Sequence, residues 1–178
     1  MKDYSFHTFH EAKHDISLEE RAAISGYNRR DISAMLQRDL TKDQQYWRTL
    51  TEAVQVLLHH PNNIVSHEAA FVLAAVPYRD EVHKAVAIRS LRYALRQRSS
   101  IVVQHESAEA MGELMGIASV GAAADLAKII AFPEYHHPDV VQTAEEAFEH
   151  ILAYIRAQPG WEKTADELVR WSTRDCRK

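Results

Sequence analysis

Ile64-Val65-Ser66-His67-Glu68-Ala69-Ala70 returns 38 residues later as Val102-Val103-Gln104-His105-Glu106-Ser107-Ala108. Each copy opens an Ala-rich run of the kind that favours α-helix. A third copy follows at the same period: Val140-Val141-Gln142 again begins a helical run, but Thr143-Ala144 stands where the first two copies carry His-Glu. Self-similarity at a fixed period of roughly 40 residues marks a helical repeat array, in which each helix pair buries its apolar face by stacking on the next pair. The repeat therefore predicts an all-α protein, a HEAT-like α-solenoid of paired antiparallel helices wound as a right-handed superhelix.

Composition points the same way. The 178 residues include only five Gly and five Pro, and 46% are hydrophobic, enough to bury the core of one domain or a short array. A formal charge of -4 and a pI near 6.2 give no global attraction to nucleic acid or to an anionic membrane, so neither is expected as a partner. Arg89, Arg92 and Arg96, with Lys84 and Arg98 nearby, make one local basic stripe on a helix, which reads as a solvated outer face. No run approaches the length of a membrane span, and Met1 to His10 has the pattern of neither a signal nor a transit peptide. The lone Cys176 excludes an intramolecular disulfide, so a reducing cytoplasm is the expected location.

Punctuation divides the chain further. Residues 1–16 are polar and His-rich and read as an N-terminal arm; residues 17–178 read as a single repeat domain. Ser17-Leu18-Glu19-Glu20 and Thr41-Lys42-Asp43-Gln44 match the capping box. The repeats fall at about 17–40, 42–76, 80–116 and 120–157, followed by a terminal helix over about 161–175. In the second repeat, Tyr46, Trp47, Leu50, Val54, Leu57 and Leu58 form an apolar stripe ending near His60-Pro61, and Asn63 is expected to cap a helix that stops before Pro77. In the third, Val82, Val86, Leu91 and Leu95 are expected inward; at the end of the chain Trp161, Leu168 and Trp171 are expected to cap the stack.

The chemistry lies in the His-Glu pairs. Neighbours on a helix project about 100° apart, so His67 and Glu68 are poorly placed to chelate one ion together. Equivalent positions of stacked repeats line up in rows instead, which predicts His67 beside His105 and Glu68 beside Glu106. A single such pair is ordinary surface or core chemistry, and a Glu near a helix start is expected from the helix dipole alone. Two pairs in register within near-identical flanks are harder to attribute to helix building. Two imidazoles with carboxylates suit non-haem iron with open positions for dioxygen, and zinc or manganese is also compatible with the donors.

The stretch from Ile64 through Ile155 resembles one half of deoxyhypusine hydroxylase, a HEAT-repeat non-haem diiron family built from two similar halves. The matching residues are His67-Glu68-Ala69-Ala70 with Leu73, then Val103-Gln104-His105-Glu106-Ser107-Ala108-Glu109-Ala110-Met111-Gly112, and Pro138-Asp139-Val140-Val141-Gln142-Thr143-Ala144-Glu145, whose family counterpart also lacks ligands. In that family, four His-Glu pairs hold two irons that activate dioxygen to hydroxylate a lysine-derived side chain. The resemblance implies His67, Glu68, His105 and Glu106 as metal ligands, with Glu68 and Glu106 in catalytic roles. Two departures stand out. The family's glycine after the first motif is Ala74 here, whereas Gly112 keeps the second, and this chain carries only one half's worth of pairs. A symmetric homodimer would restore four pairs and two irons per dimer, because an isologous interface sets one patch opposite its copy.

Other motifs carry less. His10-Glu11-Ala12-Lys13-His14 matches H-E-x-x-H formally, but it sits in the polar arm beside His7 and reads as adventitious. His59-His60 and His136-His137 fall at helix-to-loop junctions, where C-terminal capping or exposure is the expected role. Glu109 and Glu113 follow His105 by one and two turns, and Glu109 is a candidate for binding the amine of a protein or peptide substrate. There is no nucleophile elbow, phosphate-binding loop or nucleotide fingerprint in the sequence. The rival to an iron-dependent hydroxylase is a HEAT-repeat scaffold that grips a protein without catalysis.

Overall fold

A computed structural model describes residues 43–173 other than 79 and 98, with side chains from residue 50 onward. These residues are helical throughout, with no strand among them: α1 (Asp43–His59), α2 (Asn63–Ala75), α3 (Glu81–Gln97), α4 (Ile101–Glu113), α5 (Ser119–Ala131), α6 (Pro138–Arg156) and α7 (Glu162–Ser172), plus a single 3₁₀ turn at Pro133–Tyr135. No helix among them is long and apolar enough to cross a membrane. The N-terminal arm, the 17–40 repeat, the first capping box, Thr41 and Lys42 of the second, the H-E-x-x-H match, Arg98 and Cys176 lie outside the described residues.

Local chemistry sets the helix ends. Asn62 Oδ1 accepts the amide of Ile64 at 2.9 Å, so the N-cap of α2 is Asn62 and not Asn63 as the sequence suggests. Val76, before Pro77, is extended and closes the same helix, as the steric demand of the proline ring requires. Pro138 opens α6, where its missing N–H costs nothing. Gly160, at φ 83°, makes the turn into α7.

Consecutive helices pack as pairs, α1 with α2, α3 with α4 and α5 with α6. The pairs then align in two layers: α2, α4 and α6 touch side by side in one, and α1, α3 and α5 in the other. α7 closes the end against α5 and α6, using buried Ala165 and Leu168. Trp161 packs partly against the core, but Trp171 stays largely exposed, so the expected three-residue cap is mostly Leu168. Between the layers lie fully buried Leu57, Leu73, Ile88, Leu91, Leu126 and Ile151, each contributing roughly 1.5–3 kcal/mol of burial.

Two sequence expectations about α3 change. Val82 is 66% exposed rather than inward, because the buried phase of α3 runs through His83, Ala87, Ile88, Leu91, Ala94 and Leu95, and position 82 falls about one-third of a turn off it. The basic stripe is only partly a solvated face: Arg92 Nε donates to buried Asp125 of α5 at 2.7 Å and an Arg96 amine lies 3.5 Å from the same carboxylate, while Arg89 is exposed. A buried carboxylate needs such counter-charges to stay ionised. Lys84 likewise reaches the Met115 carbonyl at 2.7 Å and ties the C-terminal end of α4 to α3.

α4 is the central helix of its layer, touching α2, α3 and α6, and it is buried on nearly every side. Small residues make this possible. A Cβ added at Gly112 would lie 2.9 Å from both the Cα and the Cβ of Ala147 on α6, closer than packed carbons approach. Gly in a helix interior gives up about 1 kcal/mol of propensity relative to Ala, and close approach of α4 to α6 is what it gains. Gly112→Ala is therefore expected to destabilise the fold by about 1–3 kcal/mol through overpacking, read as a lowered urea midpoint. A variant as stable as the parent, or more so, would contradict the close crossing.

Candidate metal centre

Because α2, α4 and α6 begin with versions of one sequence and lie side by side, their equivalent positions face each other across the helix gaps. His67, His105 and Thr143 occupy one such row. All three are buried, at 3%, 7% and 7% exposure, and Glu106 is buried with them at 7%. Glu68 is half-buried and Glu109 is exposed at the solvent edge.

Between α2 and α4 the contact runs along a diagonal, whereas α4 and α6 meet straight across through His105 and Thr143. His67 Nε2 on α2 meets Glu106 Oε2 on α4 at 2.7 Å, so the first histidine pairs with the second glutamate. Adjacent residues do meet after all: Glu68 Oε1 lies 3.5 Å from His67 Nδ1, close enough for an ion pair although their Cβ atoms diverge. On α4, His105 Nε2 lies 3.4 Å from Glu109 Oε2, one turn on. His105 Nδ1 lies 2.6 Å from Thr143 Oγ1 on α6.

Glu106 thus joins two groups. One is His67 with Glu68 and Glu106. The other is His105, Glu106 and Glu109, each of which offers a ligand atom within 4.8 Å of the others, close enough to hold a metal ion. Among the described residues this second trio is the cluster with metal-binding spacing. Sequence reasoning treated Glu109 as a substrate contact, yet it shares a face with His105; the signal was its i+4 spacing, the same spacing that makes neighbours on any helix.

The donor chemistry fits a cation. Glu106 Oε2 carries charge into a site that water scarcely reaches, and Glu109 adds a second carboxylate beside an imidazole nitrogen. One neutral nitrogen and two carboxylate donors with no thiolate match the ligand preference of iron or manganese, and zinc is compatible. Glu106 also has a protonic partner. Burial works against a charged His67, but the hydrogen bonds and charges of Glu106 and Glu68 outweigh it and raise the imidazole pKa from 6.5 to about 9. His67 in the metal-free protein is therefore an imidazolium held between two carboxylates.

Three other histidines take structural roles. His60 Nδ1 accepts the amide of Asn62 at 3.1 Å. His137, expected near a helix C-terminus, instead caps the start of α6 by accepting from the Asp139 amide at 3.3 Å. His83 sits against Asp80 at 3.1 Å, and Asp80 Oδ1 accepts the His83 amide.

No protein-family model, curated protein or solved structure shows significant similarity to this chain.

A pKa raised in the folded state means that His67 stabilises the metal-free fold fully below pH 6.5 and that this contribution is lost as pH rises through about 9. The contribution is on the order of 3 kcal/mol. Proton NMR of metal-free protein is expected to show one imidazole titrating near 9, falling well below that in Glu106→Gln. A His67 resonance that titrates identically in both proteins would contradict the pairing.

Proposed function

We propose that this chain is a HEAT-like α-solenoid that binds non-haem iron and hydroxylates an amine-bearing or lysine-derived side chain of a protein or peptide, in the manner implied by its resemblance to deoxyhypusine hydroxylase. The observation that carries the reading is the convergence of His105, Glu106 and Glu109 into one metal-sized group, with His67 joined to it through Glu106 at 2.7 Å. The repeat reading is supported by the layering, in which α2, α4 and α6 form one row and α1, α3 and α5 the other.

His67, Glu68, His105 and Glu106 are the residues that hold iron in this reading, and Glu109 lies close enough to His105 and Glu106 to join them. Bound iron supplies the electrons for dioxygen activation and so the oxidising power for insertion into a C–H bond. The protein's part is to place and charge the site. His67 holds a proton at Nε2 against Glu106 Oε2, so uptake of a cation by Glu106 is coupled to loss of that proton. Burial of Glu106 and His105 excludes water, which strengthens every charge interaction inside the cleft. Glu109, with 53% of its side chain exposed, sits where an approaching ammonium group would meet negative charge.

One chain carries two His-Glu pairs. Two-fold association of the α2–α4 faces would bring four pairs together and complete a two-iron centre, so the active form is proposed to be a homodimer. Anaerobically reconstituted protein is expected to retain about one iron per chain by elemental analysis, the stoichiometry of a two-iron dimer with mixed imidazole and carboxylate donors. It should sediment as a dimer. The His67→Ala, His105→Ala double variant is expected to lose that iron with helicity little changed, because apolar stacking holds the repeats. Undiminished iron loading in the double variant would defeat the proposal, and a monomer with one iron would defeat its dimeric part.

A further inference from the structure

Thr143 stands where the third copy of the repeat drops its histidine, so by sequence it is a blank. Its geometry says otherwise. Thr143 Oγ1 lies 2.6 Å from His105 Nδ1 across the α4–α6 gap, and 2.9 Å from the Asp139 carbonyl one turn back on its own helix. A hydroxyl has one proton to give. Threonine on a helix characteristically donates to the carbonyl four residues earlier, and Thr143 has that bond to Asp139. With the proton committed there, Oγ1 offers only lone pairs to the imidazole, and a contact of 2.6 Å between two acceptors would be repulsive. Nδ1 must then carry the hydrogen and donate it to Thr143.

The consequence falls on the other ring nitrogen. An imidazole that donates through Nδ1 presents Nε2 to whatever cation lies ahead of it, and Nε2 is the atom that faces Glu109. Ring orientation is fixed at the same time, because Thr143 is buried and its hydroxyl is anchored to the α6 backbone. We propose that Thr143 is a positioning residue: by accepting the Nδ1 proton of His105 it sets the tautomer and direction of that imidazole and so prepares Nε2 as a metal donor. This rests on the metal-binding reading above. It also gives the third repeat a part in the site that the loss of its own His-Glu pair conceals. The close crossing at Gly112 and Ala147 keeps α6 near enough for the bond to form.

Two measurements test it. In metal-free wild-type protein, nitrogen NMR of the imidazoles is expected to show His105 with a protonated, slowly exchanging Nδ1; an Nδ1 without a proton overturns the inference whatever the protein binds. Ferrous iron affinity, measured anaerobically by chelator competition, is expected to fall 10–100-fold in Thr143→Val, the loss typical when an outer partner of a metal-bound histidine is removed. Thr143→Ser keeps the hydroxyl and should restore both the affinity and the Nδ1 signal, which a packing role for the threonine methyl would not do. Wild-type affinity in Thr143→Val, or failure of Thr143→Ser to restore it, overturns the assignment. If wild-type protein binds no ferrous iron, the metal-donor role falls together with the metal-binding reading, whereas intact iron binding alongside either result above overturns Thr143 alone. Should the valine variant fail to fold, the wild-type nitrogen signal and the serine variant still decide.

Discussion

The register of α2, α4 and α6 is the constraint on which the rest of the centre depends. The three helices start from versions of one sequence, each 38 residues from the last, and they lie in contact in one layer. Equal spacing along the chain becomes equal height along the layer, so a side chain on one helix meets its counterpart, or that counterpart's neighbour, on the next. Close approach makes the meeting productive. Gly112 against Ala147, with Ala69, Ala70 and Ala108 fully buried nearby in the row, lets side chains as short as threonine bridge the gap. A larger residue at the crossing would push α4 and α6 apart.

Within that register, Glu106 is where the opposing demands meet. A carboxylate this buried is costly unless charge or hydrogen bonds compensate it. The compensation comes from His67, whose imidazolium is itself tolerable only because Glu106 and Glu68 flank it. A cation among His105, Glu106 and Glu109 would take over the same duty. In the proposed metal-binding reading, proton and metal are alternatives for one buried negative charge, so that acidity and metal occupancy would be linked. The Arg92–Asp125 pair in the other layer shows the contrast: a buried carboxylate with a permanent guanidinium partner needs nothing further and serves only to bind α3 to α5.

Much of the architecture was legible because it follows from period and punctuation. The three copies of the repeat, Pro77, Pro138 and the Pro159-Gly160 break place the helices correctly to within a residue or two. That the helices carrying the His-Glu pairs lie in contact follows from the same period. Periodicity gives the direction of a Cβ, however, and not the reach of the side chain beyond it. Glu68 bends back to His67, and Glu106 crosses to the histidine of α2, neither of which follows from a 100° rotation. Glu109 was seen but assigned to substrate, since its partnership with His105 depends on both residues choosing facing rotamers. Thr143 was read as a lost ligand because a hydroxyl gives no metal signal; its importance lies in which proton it accepts, a property visible only when Asp139 and His105 are both in view. Val82 and the arginine stripe failed for a simpler reason: composition cannot say which face of α3 meets α5.

The proposed metal position lies among His105, Glu106 and Glu109 of α4, with His67 of α2 against Glu106. Diffraction from anaerobically iron-loaded crystals, recorded on both sides of the iron absorption edge, tests it directly. An anomalous peak is expected within bonding distance of His105 Nε2 and a Glu106 carboxylate oxygen. A peak only at other histidines, such as His10 or His14 of the H-E-x-x-H match, with His67 still bonded to Glu106 in the loaded crystal, would contradict it.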